Sequence, residues 1–156
     1  MIRPTRKEDA KQIIEIVRQT NVFNDEEIAI AQELLDIYLN DFEQQDYEIF
    51  SYVDEREKVL GYVCIGPTPA TQGTYDMYWI ATSPDVHNKG IGTQLLQFTE
   101  EYLKKKNARL IIAETSSTPK YASTRAFYIK KGFEQLALIV GYYKPDDDLI
   151  IYGKYL

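Results

Sequence analysis

The 156-residue sequence has room for one domain of ordinary size, and 44% hydrophobic and 13% aromatic residues suffice for a packed core. A formal net charge of −6 and a pI near 4.9 argue against a general nucleic-acid surface. One cysteine (Cys64) and one histidine (His87) leave no internal disulfide and no zinc set, so no metal is expected.

Chain order begins with a short strand over Ile2 and Arg3, then a helix capped near Thr5 with Ala10, Ile13, Ile14 and Val17 on one face. Asn21–Asp25 reads as a loop whose Asn24 or Asp25 caps a second helix, with Ile28, Ala31, Leu35, Tyr38 and Phe42 at helical spacing. Tyr47–Val53 and Lys58–Ile65 are β-rich and flank Asp54–Glu57, which suggests a hairpin ended by Gly66-Pro67. Cys64 lies in an apolar run there and is expected to be a small buried hydrophobe.

Thr74–Thr82 is a long aromatic-rich strand, followed by a glycine-containing loop and a helix from about Gly90 to Lys106. Ile91, Leu95, Phe98 and Tyr102 form the inner stripe of that helix, and Lys104–Lys106 complement the negative end of its dipole. Leu110–Glu114 is a nearly continuous apolar strand, as expected of a central one. A helix over Tyr121–Lys131 stops at Gly132. Strands over Phe133–Tyr142 and Leu149–Tyr155 then flank a turn at Lys144–Asp148. The order predicts a mixed α+β sandwich rather than a doubly wound sheet. No apolar stretch approaches the roughly 20 residues of a spanning helix. Met1–Lys7 has no signal-peptide core. A single soluble, cytoplasmic domain over residues 1–156 is the expectation.

His87-Asn88-Lys89-Gly90-Ile91-Gly92-Thr93 sits between a strand and a helix. Unpaired backbone N–H groups, the positive helix end and Lys89 suit a phosphate or pyrophosphate there. A P-loop needs Lys directly after Gly, whereas Lys89 precedes Gly90. A dinucleotide fingerprint needs a third small residue where Leu95 stands, and glycines at the strand end, whereas Ser83–Lys89 intervene. Glu114 does stand roughly where a ribose-binding acid would, which keeps a dinucleotide enzyme as an alternative.

The segment Tyr78-Trp79-Ile80-Ala81-Thr82-Ser83-Pro84, followed by the loop from His87 to Gly92, resembles the acetyl-CoA motif of the GNAT superfamily. Gly90 and Gly92 match the family's Gln/Arg-x-x-Gly-x-Gly/Ala pattern, while His87 occupies the Gln/Arg position. A second block, Tyr121-x-x-Thr124-Arg125-Ala126-Phe127-Tyr128 through Gly132-Phe133, is similar to the family's C-terminal motif, with Tyr121 where Asn is frequent. The resemblance implies a mostly antiparallel seven-stranded sheet flanked by about four helices and splayed between the fourth and fifth strands. It implies an N-acetyltransferase in which an amine attacks the thioester of acetyl-CoA directly, so no enzyme nucleophile is needed. The implied cofactor contacts are Ile80, Ala81, Thr82, His87, Asn88, Lys89, Gly90, Ile91, Gly92, Thr93 and Tyr121, with Ile80 N–H polarising the thioester carbonyl.

Tyr128 takes the position of the acid facing the departing sulfur. Asp76 shares strand parity with Tyr78 and Ile80 and resembles the position of the catalytic Glu in some members; Glu114 is the rival base. Asn21, Phe23, Glu114 and Tyr142 are candidate contacts for the acceptor, a small-molecule or exposed protein amine. A non-catalytic acyl-CoA-binding module is the alternative function. The free edge of the last hairpin is a candidate for pairing in a homodimer.

Overall fold

The computed structural model describes all residues, 1–156. Seven strands form one sheet in the order β1-β2-β3-β4-β5-β7-β6: β1 Ile2–Pro4, β2 Glu48–Val53, β3 Val59–Pro67, β4 Thr74–Thr82, β5 Leu110–Ser116, β6 Glu134–Lys144 and β7 Asp147–Tyr155. Four helices flank it: α1 Ala10–Gln19, α2 Asp25–Asn40, α3 Ile91–Lys105 and α4 Ala122–Lys130. Strand alternation gives each face its own core. Ile13, Val17, Leu35, Ile49, Cys64 and Ala81 pack on the α1/α2 face. Val63, Ile65, Met77, Leu95, Ile111 and Tyr128 pack on the α3/α4 face. Cys64 is fully enclosed, as expected, and burial pushes its thiol pKa up.

Only β4 and β5 run parallel, and their ladder covers just three pairs, Thr74–Leu110, Tyr75–Ile111 and Asp76–Ile112. Beyond Asp76 the two strands separate. On its other edge β4 stays paired with β3, but the register shifts: Met77 faces Ile65 and Trp79 faces Cys64, leaving Tyr78 as an extra residue. Such a bulge bends its strand and increases local twist, and here it coincides with the parting of β4 from β5.

The bulge corrects one expectation. Simple alternation puts Asp76 and Ile80 on the same face, but the added residue turns Ile80 toward the α3/α4 core, leaving Trp79 and Ala81 on the α1/α2 side. Asp76, which precedes the core residue Met77, faces α1/α2.

Other boundaries also move. Thr5 is not a helix cap, because its hydroxyl is bonded to Ser51 Oγ at 2.7 Å; the turn before α1 is closed by Asp9, whose Oδ2 accepts from Arg6 N–H at 2.8 Å. Phe42 falls beyond α2 and is 87% exposed, since the chain leaves helical geometry at Asp41. Gly66 and Pro67 complete β3 rather than ending the hairpin before it. Asn24 does cap α2, its side chain accepting from Glu27 N–H at 2.8 Å while Glu27 accepts from Asn24 N–H. β6 is the outermost strand and is exposed along nearly its whole length, apolar residues included.

Gly66 lies opposite Asp76, immediately beside the bulge, and a Cβ there would overlap the backbone carbonyl oxygen of Asp46. That atom cannot swing away as a side-chain tip would. Gly66→Ala is expected to destabilise the fold by roughly 1–3 kcal/mol, the usual cost of overpacking. Chemical denaturation checks it; an unchanged midpoint and slope would show the strand ends are not held so closely.

Candidate active site

The glycine junction is built from backbone conformation. After β4, Pro84–Val86 forms one tight turn, and Lys89 N–H is tied to the Val86 carbonyl at 3.1 Å. Asn88 and Gly90 take left-handed φ of 65° and 78°, a region open mainly to Gly and, less readily, Asn. The chain then enters α3, whose Gln94 N–H reaches the Gly90 carbonyl at 3.0 Å. The N–H groups of Ile91, Gly92 and Thr93 precede that first turn and have no partner within the helix. A Cβ on Gly92 would rest 3.7 Å from the Phe127 ring and 3.8 Å from Thr82 Cγ2, so the α3 start, the β4 end and α4 meet here. His87, Asn88, Lys89 and Gly90 are all exposed around those free donors. Three aligned N–H groups, the positive helix end and Lys89 fit a pyrophosphate.

Tyr128 is set on α4 against Phe127, Phe133 and Tyr152 and is 4% exposed. Its hydroxyl has no hydrogen-bond partner in the protein. It is not sealed in, however, because the one fully buried side-chain polar atom without a partner is Tyr62 Oη. Burial drives the Tyr128 phenol far above its ordinary pKa. The group therefore stays protonated and offers a free hydrogen-bond donor, and it follows Phe127, whose ring lies against Gly92.

The opposite side of the splay carries the acids. Glu114 alternates with the core residues Ile111 and Ala113, so it faces α1/α2, as Asp76 does. Asp76 pairs with Ile112, and Glu114 lies two residues further along β5. Thr68 Oγ1 donates to Asp76 Oδ2 at 2.6 Å. Glu114 opens to solvent, yet crowding by protein raises its pKa and the neighbouring Asp76 charge raises it further.

An aromatic wall stands beside these acids. The Phe23 ring meets Trp79 at 4.6 Å and Tyr121 at 6.3 Å, both edge-on. The Tyr121 hydroxyl donates to Glu27 Oε2 at 2.5 Å, and burial followed by that bond raises the phenol pKa strongly. The structure thus sets Tyr121 against α2 and Phe23. Tyr143, edge-on to Tyr142 at 5.0 Å, is pushed up to about 12 by burial, then by Glu114, Tyr142, Asp147 and Glu27. Asn21, at φ 53°, closes α1 with its N–H on the Arg18 carbonyl. Glu27, Trp79 and Thr68 therefore join the site, beside Tyr143 of the closing hairpin, which the sequence already pointed to together with Tyr142. Glu27 lies 94 residues from Tyr121, and nothing local in the sequence marks that contact.

A cleft open between two strands, a helix start able to hold a pyrophosphate and a protonated tyrosine beside it define an acyl-CoA-dependent transferase. The chain belongs to the Acetyltransferase (GNAT) family, whose model matches residues 11–133. It is 24% identical over 136 residues to the S-(2-succino)cysteine N-acetyltransferase of Bacillus subtilis, covering 80% of this chain and 78% of that one. A structure from Desulfovibrio desulfuricans, described as an acetyltransferase of the GNAT family, superposes with a TM-score of 0.91 at 37% identity, covering 99% of this chain and 98% of the other. The ribosomal-protein-S18-alanine N-acetyltransferase of Escherichia coli shares the fold, with a TM-score of 0.77 at 19% identity over 99% and 92% of the two chains. The protein is thus an N-acyltransferase of a family that uses acetyl-CoA.

Because Gly90 holds φ at 78°, Gly90→Ala places a Cβ in a region that costs about 1–2 kcal/mol. Calorimetric titration with coenzyme A should show affinity reduced about 5- to 30-fold. An unchanged dissociation constant would remove the glycine junction from the binding site.

Proposed function

We propose that the enzyme moves an acetyl group from acetyl-CoA to a primary amine, on a small molecule or an exposed protein amine, by direct attack in a ternary complex. The observation that carries this reading is the splay, with a protonated Tyr128 on one side and the Asp76–Glu114 pair on the other. Acetyl-CoA supplies the activated thioester. The N–H groups of Ile91, Gly92 and Thr93 hold its pyrophosphate, with Asn88 and Lys89 alongside. Ile80, Ala81 and Thr82 offer a strand edge to the pantetheine arm, by the same logic as an added β-strand. Ile80 N–H polarises the thioester carbonyl.

Glu114 accepts the proton that the ammonium must lose before attack. Its raised pKa brings it nearer the working range of a base. Asp76, fixed by Thr68, acts mainly through its charge on Glu114. The amine nitrogen bonds to the acetyl carbon, the carbon–sulfur bond breaks, and the sulfur leaves with the electron pair. The nitrogen sheds its second proton as the amide forms, that proton restores the thiol, and Tyr128 steadies the departing sulfur through a hydrogen bond as its charge develops. Phe23, Tyr142 and the wall around Tyr121 line the path of the amine.

Tyr128→Phe keeps the packing against Phe133 and Tyr152 but removes the donor. It should lower kcat by about 10²-fold or more, with the KM for acetyl-CoA nearly unchanged, read by thiol release. Full kcat in that variant would take Tyr128 out of the chemistry.

Glu114 must be unprotonated to accept a proton, so kcat at saturation rises with pH through its raised pKa. Asp76→Asn keeps an acceptor for Thr68 but removes the charge that raises Glu114, so the acid limb should move to lower pH. Profiles of kcat against pH for both proteins test this; coincident limbs would sink the Glu114 assignment or its coupling to Asp76.

A further inference from the structure

The charges around the cleft narrow the amine. Glu27 and Asp147 lie by Tyr121, Glu27 and Glu114 by Tyr143, and Asp76 by Glu114, and none of the four takes part in an ion pair; the chain's ion pairs involve Arg3, Arg6, Lys58, Lys106 and Lys154. The Arg125 guanidinium donates to the carbonyls of Ser116 and Thr118, both at 2.8 Å. Lys120 and Lys144 are exposed and unpaired. The acids are held instead by hydroxyls: Tyr121 on Glu27, Thr68 on Asp76 and Ser116 on Asp147. Hydroxyl donors orient a carboxylate without neutralising it. The rings of Phe23, Trp79 and Tyr121 add faces suited to a cation.

We propose that the acceptor is an amine carrying a second ammonium group and no carboxylate, with the second charge seated between Glu27 and the Phe23–Trp79–Tyr121 wall while the reacting amine lies at Glu114. This rests on the acetyl-transfer reading above. The reacting nitrogen loses its proton and ends as a neutral amide, so it cannot go on neutralising the cleft. A second ammonium stays charged throughout and keeps Glu27 paired. A carboxylate on the acceptor would meet these acids, against which only the solvent-exposed Lys120 and Lys144 stand free, and this disfavours ordinary amino acids.

The test measures thiol release from acetyl-CoA with putrescine, butylamine and γ-aminobutyrate, which share one chain length, and with kanamycin as a branched polycation. Putrescine or kanamycin should exceed butylamine in kcat/KM by about 10-fold or more, the worth of one added charged hydrogen bond. γ-Aminobutyrate should fall below butylamine, and higher ionic strength should narrow the gap. Preference for kanamycin over putrescine places the second charge on a sugar frame; the reverse places it on a linear chain, and either supports the proposal. Glu27→Gln keeps the cap on Asn24 and should shrink the putrescine-to-butylamine ratio; an unchanged ratio overturns the role of Glu27. Butylamine or γ-aminobutyrate matching both polycations overturns the acceptor class while leaving acetyl transfer intact. No turnover with any amine overturns acetyl transfer instead. Calorimetry of putrescine and butylamine on the coenzyme A-saturated protein then decides the acceptor class, equal affinities refuting it.

Discussion

The short parallel ladder between β4 and β5 is the constraint on which everything else in this structure turns. Three pairs join the strands, and after Asp76 the β5-facing edge of β4 has no strand beside it. Backbone N–H and C=O groups left so must meet water or a ligand, because burying one unpaired costs about 1–3 kcal/mol. An interior strand of a seven-stranded sheet thus acquires an edge, with the binding capacity of edges. The separation is held from the other side. β4 keeps its pairing with β3 through the Tyr78 bulge, and Gly66, opposite Asp76, packs directly on the Asp46 carbonyl.

The bulge also sorts the side chains. Without it, Ile80 and Asp76 would share a face; with it, Ile80 joins the α3/α4 core near Tyr128 while Trp79 stays with Phe23. One inserted residue separates the donor half of the cleft from the acceptor half. Each half has an electrostatic character suited to its task. A free helix start and Lys89 suit an anion; unpaired carboxylates and aromatic rings suit a cation.

Local signals made most of the frame legible in the sequence. β4 is found where the aromatic run ends at Thr82, and α3 begins one residue after Gly90, because glycine position and hydrophobic period are properties of a few consecutive residues. Asn24 was readable as a cap for the same reason. What escaped was non-local. The extra residue at Tyr78 shows only against the register of β3, and Thr5 is diverted from capping by Ser51, 46 positions away. Tyr121 sits in a motif-like block, yet its hydroxyl is fixed by Glu27 in another helix.

That last contact explains why cofactor chemistry is easier to read than acceptor chemistry. The proposed pyrophosphate cradle is one segment, Asn88 to Thr93, whose free donors are backbone groups that glycine spacing arranges. The acceptor wall draws Phe23 and Glu27 from the α1–α2 junction, Trp79 from β4, Tyr121 from the start of α4, and Tyr143 from β6. No two of those elements need change together for the fold to persist, since their packing cores lie beneath them in Ile13, Leu35 and Ile111. Substituting Glu27 alters the charge a substrate meets, and substituting Tyr143 alters the shape, while neither side chain belongs to the β4–β5 ladder or the glycine junction. Chemistry built on backbone is fixed by the fold, whereas selectivity built on side chains from several elements is free to vary on it. The charges around this cleft are therefore set by side chains that the fold leaves free to vary.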